Sequence, residues 1–257
     1  MSSTTASERM TRRAFVAAAS AVAATVSKPA LSATPQEPAT MPPPRALSAR
    51  QQAIAPITAA AAVGDMPRLG AALAQGLDAG LTISDTKEIL VQLYAYAGFP
   101  RSLNALGELM KVLEARRQRG VQDAPGREPV TPIPTGKALL ALGTANQTQL
   151  IGAPVRGPLF EFAPAIDEYL KTHLFGDIFA RDNLDWQSRE LATVGMLAAM
   201  PGVESQMQSH IRVSLNVGLS PEQLREVAQV LARGGQPDAA RRVHEALDRV
   251  LADAAER

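Results

Sequence analysis

The chain has 257 residues, with 26 Lys and Arg against 25 Asp and Glu for a formal net charge of +1, and it contains no cysteine. Without a basic patch interleaved with aromatics, nucleic-acid binding has no support. Aromatic residues make up only 4%, Ala and Leu recur at helical spacing and β-branched alternation is scarce, so the predicted class is all-α.

From the amino terminus, Thr11-Arg12-Arg13-Ala14-Phe15-Val16 is similar to the twin-arginine export motif, and an alanine-rich apolar run from Ala14 to Val26 follows, then Lys28. The run is too short and too weakly apolar to span a membrane, so no stable membrane span is expected. Residues 1–33 are read as a signal peptide, cleaved near Ala30-Leu31-Ser32 or just after Ala33. That reading makes the twin-arginine (Tat) export machinery a partner and the periplasm the destination; a chance arginine pair in a basic start is the plain alternative. A cysteine-free chain is compatible with an oxidising compartment. Residues 34–49 are rich in proline and read as a tether. The remaining chain, about 220 residues, suffices for one sizeable domain or two small ones.

Residues 50–115 and 164–252 follow one plan. Gly80-Leu81-Thr82 in the first matches Gly218-Leu219-Ser220 in the second, Lys87-Glu88-Ile89 matches Arg225-Glu226-Val227, and Gly98-Phe99-Pro100 matches Gly235-Gln236-Pro237. Each copy is expected to run helix, turn, helix, Gly-capped turn, helix, Gly-x-Pro break, helix. Residues 116–135, charged and then proline-rich, read as a linker. Residues 136–163 connect, with a short helical run Lys137 to Gly143 before a polar Thr144 to Gln149. From Phe160 to Phe179 an amphipathic helix is predicted, with Phe162, Ile166, Tyr169 and Leu170 on one side. Repeats too small to bury their own faces must pack on each other or on another subunit.

The second copy carries the candidate chemistry. Trp186, Glu190, Val194 and Leu197 fall at i, i+4, i+8 and i+11, which puts a carboxylate in line with an apolar stripe. The next helix has Met207, Ile211 and Leu215 as its apolar line with His210 beside it, and Gly218 stops it. Ser220-Pro221-Glu222-Gln223 then opens another helix, with Ser220 as N-cap and Gln223 able to complete a capping box. A Glu and a His on consecutive packed helices suggest acid–base chemistry; the bland alternatives are an ion pair of Glu190 with Arg212 or Arg189 and a His210 bonded to a backbone carbonyl. In the first copy the matching positions are Ala53 and Ala72, so that copy reads as scaffold, with Tyr94 and Tyr96 as packing residues. His173 and His244 stand alone at this level, and three histidines without cysteine or HExxH argue against a metal site. No cofactor-cradling Gly loop and no GxSxG elbow is present.

The pieces Phe175 to Asp185, Arg189 to Met200, Ser209 to Leu219 and Gly234 to Pro237 together resemble the carboxymuconolactone decarboxylase family, which includes the alkylhydroperoxidase D branch. The resemblance implies an all-α, alkylhydroperoxidase D-like bundle of two tandem repeats and a homo-oligomer. In the peroxidase branch a Glu precedes Cys-x-x-Cys and a His follows; counted back from His210, those cysteine positions hold Val203 and Gln206. Peroxidase or peroxiredoxin activity of that kind therefore lacks its thiols. The resemblance implies instead a carboxy-lyase acting on a small carboxylated or lactone-type substrate, with Glu190 and His210 as the acid–base pair, Arg181 as a candidate for the substrate carboxylate, and no cofactor. A non-catalytic binding or scaffold protein of the same fold is the competing expectation.

Overall fold

The computed structural model describes residues 46–256; the arginine pair, the signal segment and most of the proline-rich tether lie outside the described residues. The fold is built on one close crossing, between α1 (Ala49–Val63) and α9, which runs Trp186–Ala199. Both are short of bulk, with Ala55, Ala59, Ala60, Ala61 and Ala62 on one and Ala192, Gly195, Ala198 and Ala199 on the other. A side chain at Gly195 would stand 2.3 Å from Thr58 Oγ1 and 2.7 Å from the Ala55 carbonyl oxygen, so the missing Cβ sets how near the helices come. From Ser188 onward α9 is buried on every side, as expected of a helix without a continuous polar face.

Around this pair the two copies repeat one element order. After α1 come α2 (Met66–Asp78), α3 (Ile83–Gln92), the single turn α4 (Tyr94–Ala97) and α5 (Phe99–Gln118). The second copy follows α9 with α10 (Glu204–Asn216), α11 (Pro221–Arg233) and α12 (Pro237–Ala255), numbered after the connecting helices α6 to α8 given below. The turns also match. Gly80 and Gly218 have φ of 95° and 93°, a left-handed geometry that glycine adopts without a Cβ penalty. Thr82 with Asp85 and Ser220 with Gln223 form capping boxes at the starts of α3 and α11, the second as the sequence predicts. The leucines and valines of α11 and α12 (Leu224, Val227, Leu231, Val243, Leu247) complete the main core with Ile54, Leu69, Leu73 and Ile89 of the first copy.

Between the copies, two expectations give way. The helix begun at Gly136 does not stop at Gly143; α6 spans Gly136–Ile151, straight through the polar stretch. Thr144 and Thr148 return their hydroxyls to the carbonyls of Leu140 and Thr144, Asn146 donates to the Phe175 carbonyl, and Gln147 is buried. The polar side chains are thus satisfied by helix and neighbour, and no break is required. The amphipathic helix of Phe160 to Phe179 is instead divided. Two short pieces, α7 (Pro158–Phe162) and α8 (Pro164–Tyr169), are separated at Pro164, and a π-helix takes Leu170–Ile178. Here Gly176 and Gly143 let the π-helix and α6 touch: a Cβ on Gly143 would collide with the Lys171 carbonyl. Leu174, Phe175, Ile178 and Phe179 are buried there with Leu150 and Val213, whereas Phe162 is 89% exposed and Leu159 and Tyr169 also face outward.

Residues 119–135 have almost no regular structure, yet they are tied down. Ile83 and Ser84 donate backbone N–H groups to the carbonyls of Ala124 and Pro125, and Val130 and Thr131 donate to the Asp182 carboxylate. Arg116, in the last turn of α5, is buried and bridges Asp78 and Asp123. No helix of the described residues is long and apolar enough to cross a membrane.

Candidate active site

Glu190 sits five positions after Asp185, whose carboxylate caps α9 by accepting from the Ser188 N–H. That places it on the second turn, facing α10, with its side chain fully shielded from solvent. His210, midway along α10, brings its ring Nδ1 to 2.8 Å from Glu190 Oε2 and keeps 14% of its side chain exposed. Against a carboxylate the ring nitrogen is the donor, so Nδ1–H points at Glu190 and Nε2 is left for other work. The two residues that the sequence singles out are therefore in direct contact. The bland partners are used elsewhere: Arg189 pairs with Glu88, and Arg212 with Asp253.

The first copy reaches this pair from the other side. Glu88, Gln92 and Tyr96 lie at i, i+4 and i+8 on α3 and α4, and each meets α9 or α10. Glu88, 2% exposed, accepts from Arg189 Nη2 at 2.9 Å and from Arg181 Nε at 2.8 and 3.0 Å. Burial alone pushes its carboxyl upward, but the two guanidinium groups outweigh that and hold it below the usual carboxylate range. Gln92 donates to the Arg189 carbonyl and the Thr193 hydroxyl and accepts from Arg189 Nη1. The rings of Tyr96 and His210 meet in a T-shaped contact, with centroids 5.6 Å apart and planes at 73°. Burial first, and then the Glu190 charge, hold the Tyr96 hydroxyl in its neutral form.

Arg181 takes part in the inter-repeat ion network. Its Nε edge is committed to Glu88, while the residue lines a cleft of about 370 Å³ with Asn146, Asp182 and Trp186. A smaller cleft, of about 120 Å³, lies between α9, α10 and α12 and is lined by Leu197, Met207 and Arg242. His173, read from the sequence as standing alone, has a partner. Its Nδ1 is 2.7 Å from Asp177 Oδ2, four residues on, and its ring tilts against Tyr94. No group of three or more His, Asp or Glu able to hold a metal occurs among the described residues. Val203 is the N-cap of α10, and Gln206 lies in its first turn, one turn before His210.

The model of the carboxymuconolactone decarboxylase family matches residues 38–110 and 164–249, one region in each copy. The chain belongs to the carboxymuconolactone decarboxylase family. Its all-α bundle is the alkylhydroperoxidase D-like fold of that family, in a member without cysteine. A comparison with curated proteins gives no match. Within this family fold, the sequence reading of the first copy as scaffold leaves out the contacts that Glu88, Gln92 and Tyr96 make with the second. The available signal is their spacing: a polar stripe of i, i+4, i+8 on a helix otherwise buried among Ile89, Leu90 and Leu93.

Proposed function

We propose that this protein performs acid–base chemistry, proton transfer coupled to decarboxylation, on a small carboxylated or lactone-type substrate. The observation that carries the reading is the 2.8 Å contact between His210 Nδ1 and the shielded carboxylate of Glu190. Loss of CO2 beside a carbonyl or lactone leaves the C–C electron pair on carbon as an enolate, which must take up one proton. Imidazole is the side chain that exchanges protons near neutral pH, and a carboxylate on Nδ1 fixes the tautomer that presents Nε2 to the reacting carbon. Glu190 also offsets the charge that His210 carries when protonated. The chain supplies this chemistry without thiols, so the peroxidase activity of cysteine-bearing relatives is not assigned to it.

A second reading, a non-catalytic scaffold of the same fold, draws on the location of space: the two clefts described above are not lined by Glu190 or His210. The two readings separate in one assay. The wild-type protein is offered a panel of small lactones and carboxylated carbonyl compounds in D2O. Acid–base decarboxylation yields a product with one deuterium on the carbon that lost CO2; no turnover across the panel supports the scaffold.

Export through the twin-arginine route to the periplasm is proposed from Arg12, Arg13 and the apolar run behind them. Assembly as a homo-oligomer is proposed from the exposed apolar side chains Phe99, Leu103 and Met110 on α5 and Leu159, Phe162 and Tyr169 on α7 and α8.

A further inference from the structure

The first copy lacks the Glu and the His at the matching positions, Ala53 and Ala72, yet it delivers one side chain directly onto the pair. Tyr96 packs against both hydrophobic clusters, the main core and the smaller one around Phe175 and Phe179. Its ring centroid lies 5.6 Å from that of His210, with the planes at 73°, close to the T-shaped arrangement in which aromatic rings attract. Its hydroxyl is buried within reach of Thr193 but completes no regular hydrogen bond. Tyr96 is therefore held by packing, with the His210 ring among its contacts.

The bond to Glu190 orients the imidazole only while χ1 and χ2 of His210 stay in one rotamer well. A ring packed against the imidazole opposes the rotation that would break that bond and turn Nε2 away. We propose that Tyr96 is a positioning residue for His210, given by the first repeat to the site of the second, so that the site is composite and neither copy holds it alone. Glu88 and Gln92, below Tyr96 on the same stripe, anchor that stripe to α9 through Arg189 and Thr193. The assignment rests on the pair acting as proposed above, but its test does not depend on knowing the substrate.

The chain has three histidines, so a protein labelled with 15N in histidine gives a spectrum of three rings. His210 is expected to show a downfield Nδ1–H protected from solvent exchange. His173, bonded to Asp177 but half exposed, and the exposed His244 serve as internal references. In Tyr96→Leu the His210 Nδ1–H should exchange at least about tenfold faster, with the His173 and His244 signals unmoved. Tyr96→Phe, which keeps the ring, should restore protection and melt no lower than the wild type. On any substrate turned over, Tyr96→Leu should lower kcat with KM little changed, and Tyr96→Phe should retain kcat. Unchanged His210 protection in Tyr96→Leu overturns the assignment, as does equal loss of protection in Tyr96→Phe. Absence of turnover in the wild type, with the exchange pattern as expected, counts against the decarboxylase reading and not against the role of Tyr96 on the ring.

Discussion

Arg189 Nη2 stands 2.9 Å from Glu88 Oε1, and the two side chains are 0% and 2% exposed. This ion pair joins the third helix of the first copy to the opening helix of the second, and Arg181 and Asn183 add donors to the same carboxylate. Removing one partner leaves a charge without its counter-ion in the interior. Glu88→Gln is expected to cost about 3–5 kcal/mol, whereas a double change to well-packed apolar residues of similar volume at 88 and 189 should cost much less. Denaturant unfolding of the three proteins side by side checks this; an unaltered midpoint in Glu88→Gln would show that the pair is not an anchor.

Acid is expected to loosen a second joint. The Asp182 carboxylate accepts from the Thr131 hydroxyl, from the N–H groups of Val130 and Thr131, and pairs with Arg127. The Thr131 bond foremost, then the Val130 N–H and Arg127, bring its pKa down to about 2. A carboxyl with a depressed folded pKa binds fewer protons when folded. Its contribution is therefore complete above the unfolded value, roughly 4, and is lost as pH falls toward the folded one. Protection of the Val130 and Thr131 amides, measured against their intrinsic exchange at each pH, should fall between those limits, and Asp182→Asn should show the same loss at neutral pH. Protection that stays constant to pH 2 in the wild type would contradict the tether. Glu88 has the same sign of dependence, held down by Arg181 and Arg189 against burial, and adds a loss of global stability at acid pH.

The crossing of α1 and α9 sets a steric test. Gly195→Ala places a methyl against Thr58 Oγ1 and the Ala55 carbonyl, and backbone cannot yield cheaply. A loss of about 1–3 kcal/mol is expected. Gly107 on α5 is the control, since a Cβ there meets nothing within 4 Å; Gly107→Ala should stabilise by about 0.5–1 kcal/mol. Thermal melts of both variants decide, and a Gly195→Ala protein as stable as the wild type would mean the helices are not held at contact distance.

What the sequence makes legible is local. Glycine turns at Gly80 and Gly218, the Ser220–Gln223 box and the helical faces follow from backbone preference and periodicity, which act over a few residues. Glu190 and His210 emerge because one turn separates their helices and both sit near an apolar line. Partners 93 to 101 residues apart, such as Arg181 and Arg189 on Glu88, are not legible in this way. Periodicity says which face is buried and not what it is buried against. The π-helix is hidden for the same reason, since it depends on Gly176 meeting α6. The tyrosine on His210 is hidden too, because nothing in YAYAG distinguishes a ring that packs on a leucine from one that packs on an imidazole.

Export has its own test, independent of the fold. Replacing Arg12 and Arg13 by Lys keeps the charge and removes the feature that the export receptor reads. The expected result is a precursor retained in the cytoplasm, seen by fractionation and immunoblot. Normal periplasmic accumulation would contradict the twin-arginine reading.

Glu190 and His210 are proposed to act as one acid–base unit, and a double-mutant cycle measures the coupling between them. On a substrate that the wild type turns over, His210→Gln should abolish turnover, because Gln keeps a hydrogen-bonding end but does not titrate near neutral pH. Glu190→Gln should lower the rate on the order of 10²-fold. The double variant should be no slower than His210→Gln alone, since residues that act together lose their contribution once. All three should melt close to the wild type and keep its oligomeric state. Full activity in His210→Gln, or melting temperatures that fall while turnover stays, would contradict the account.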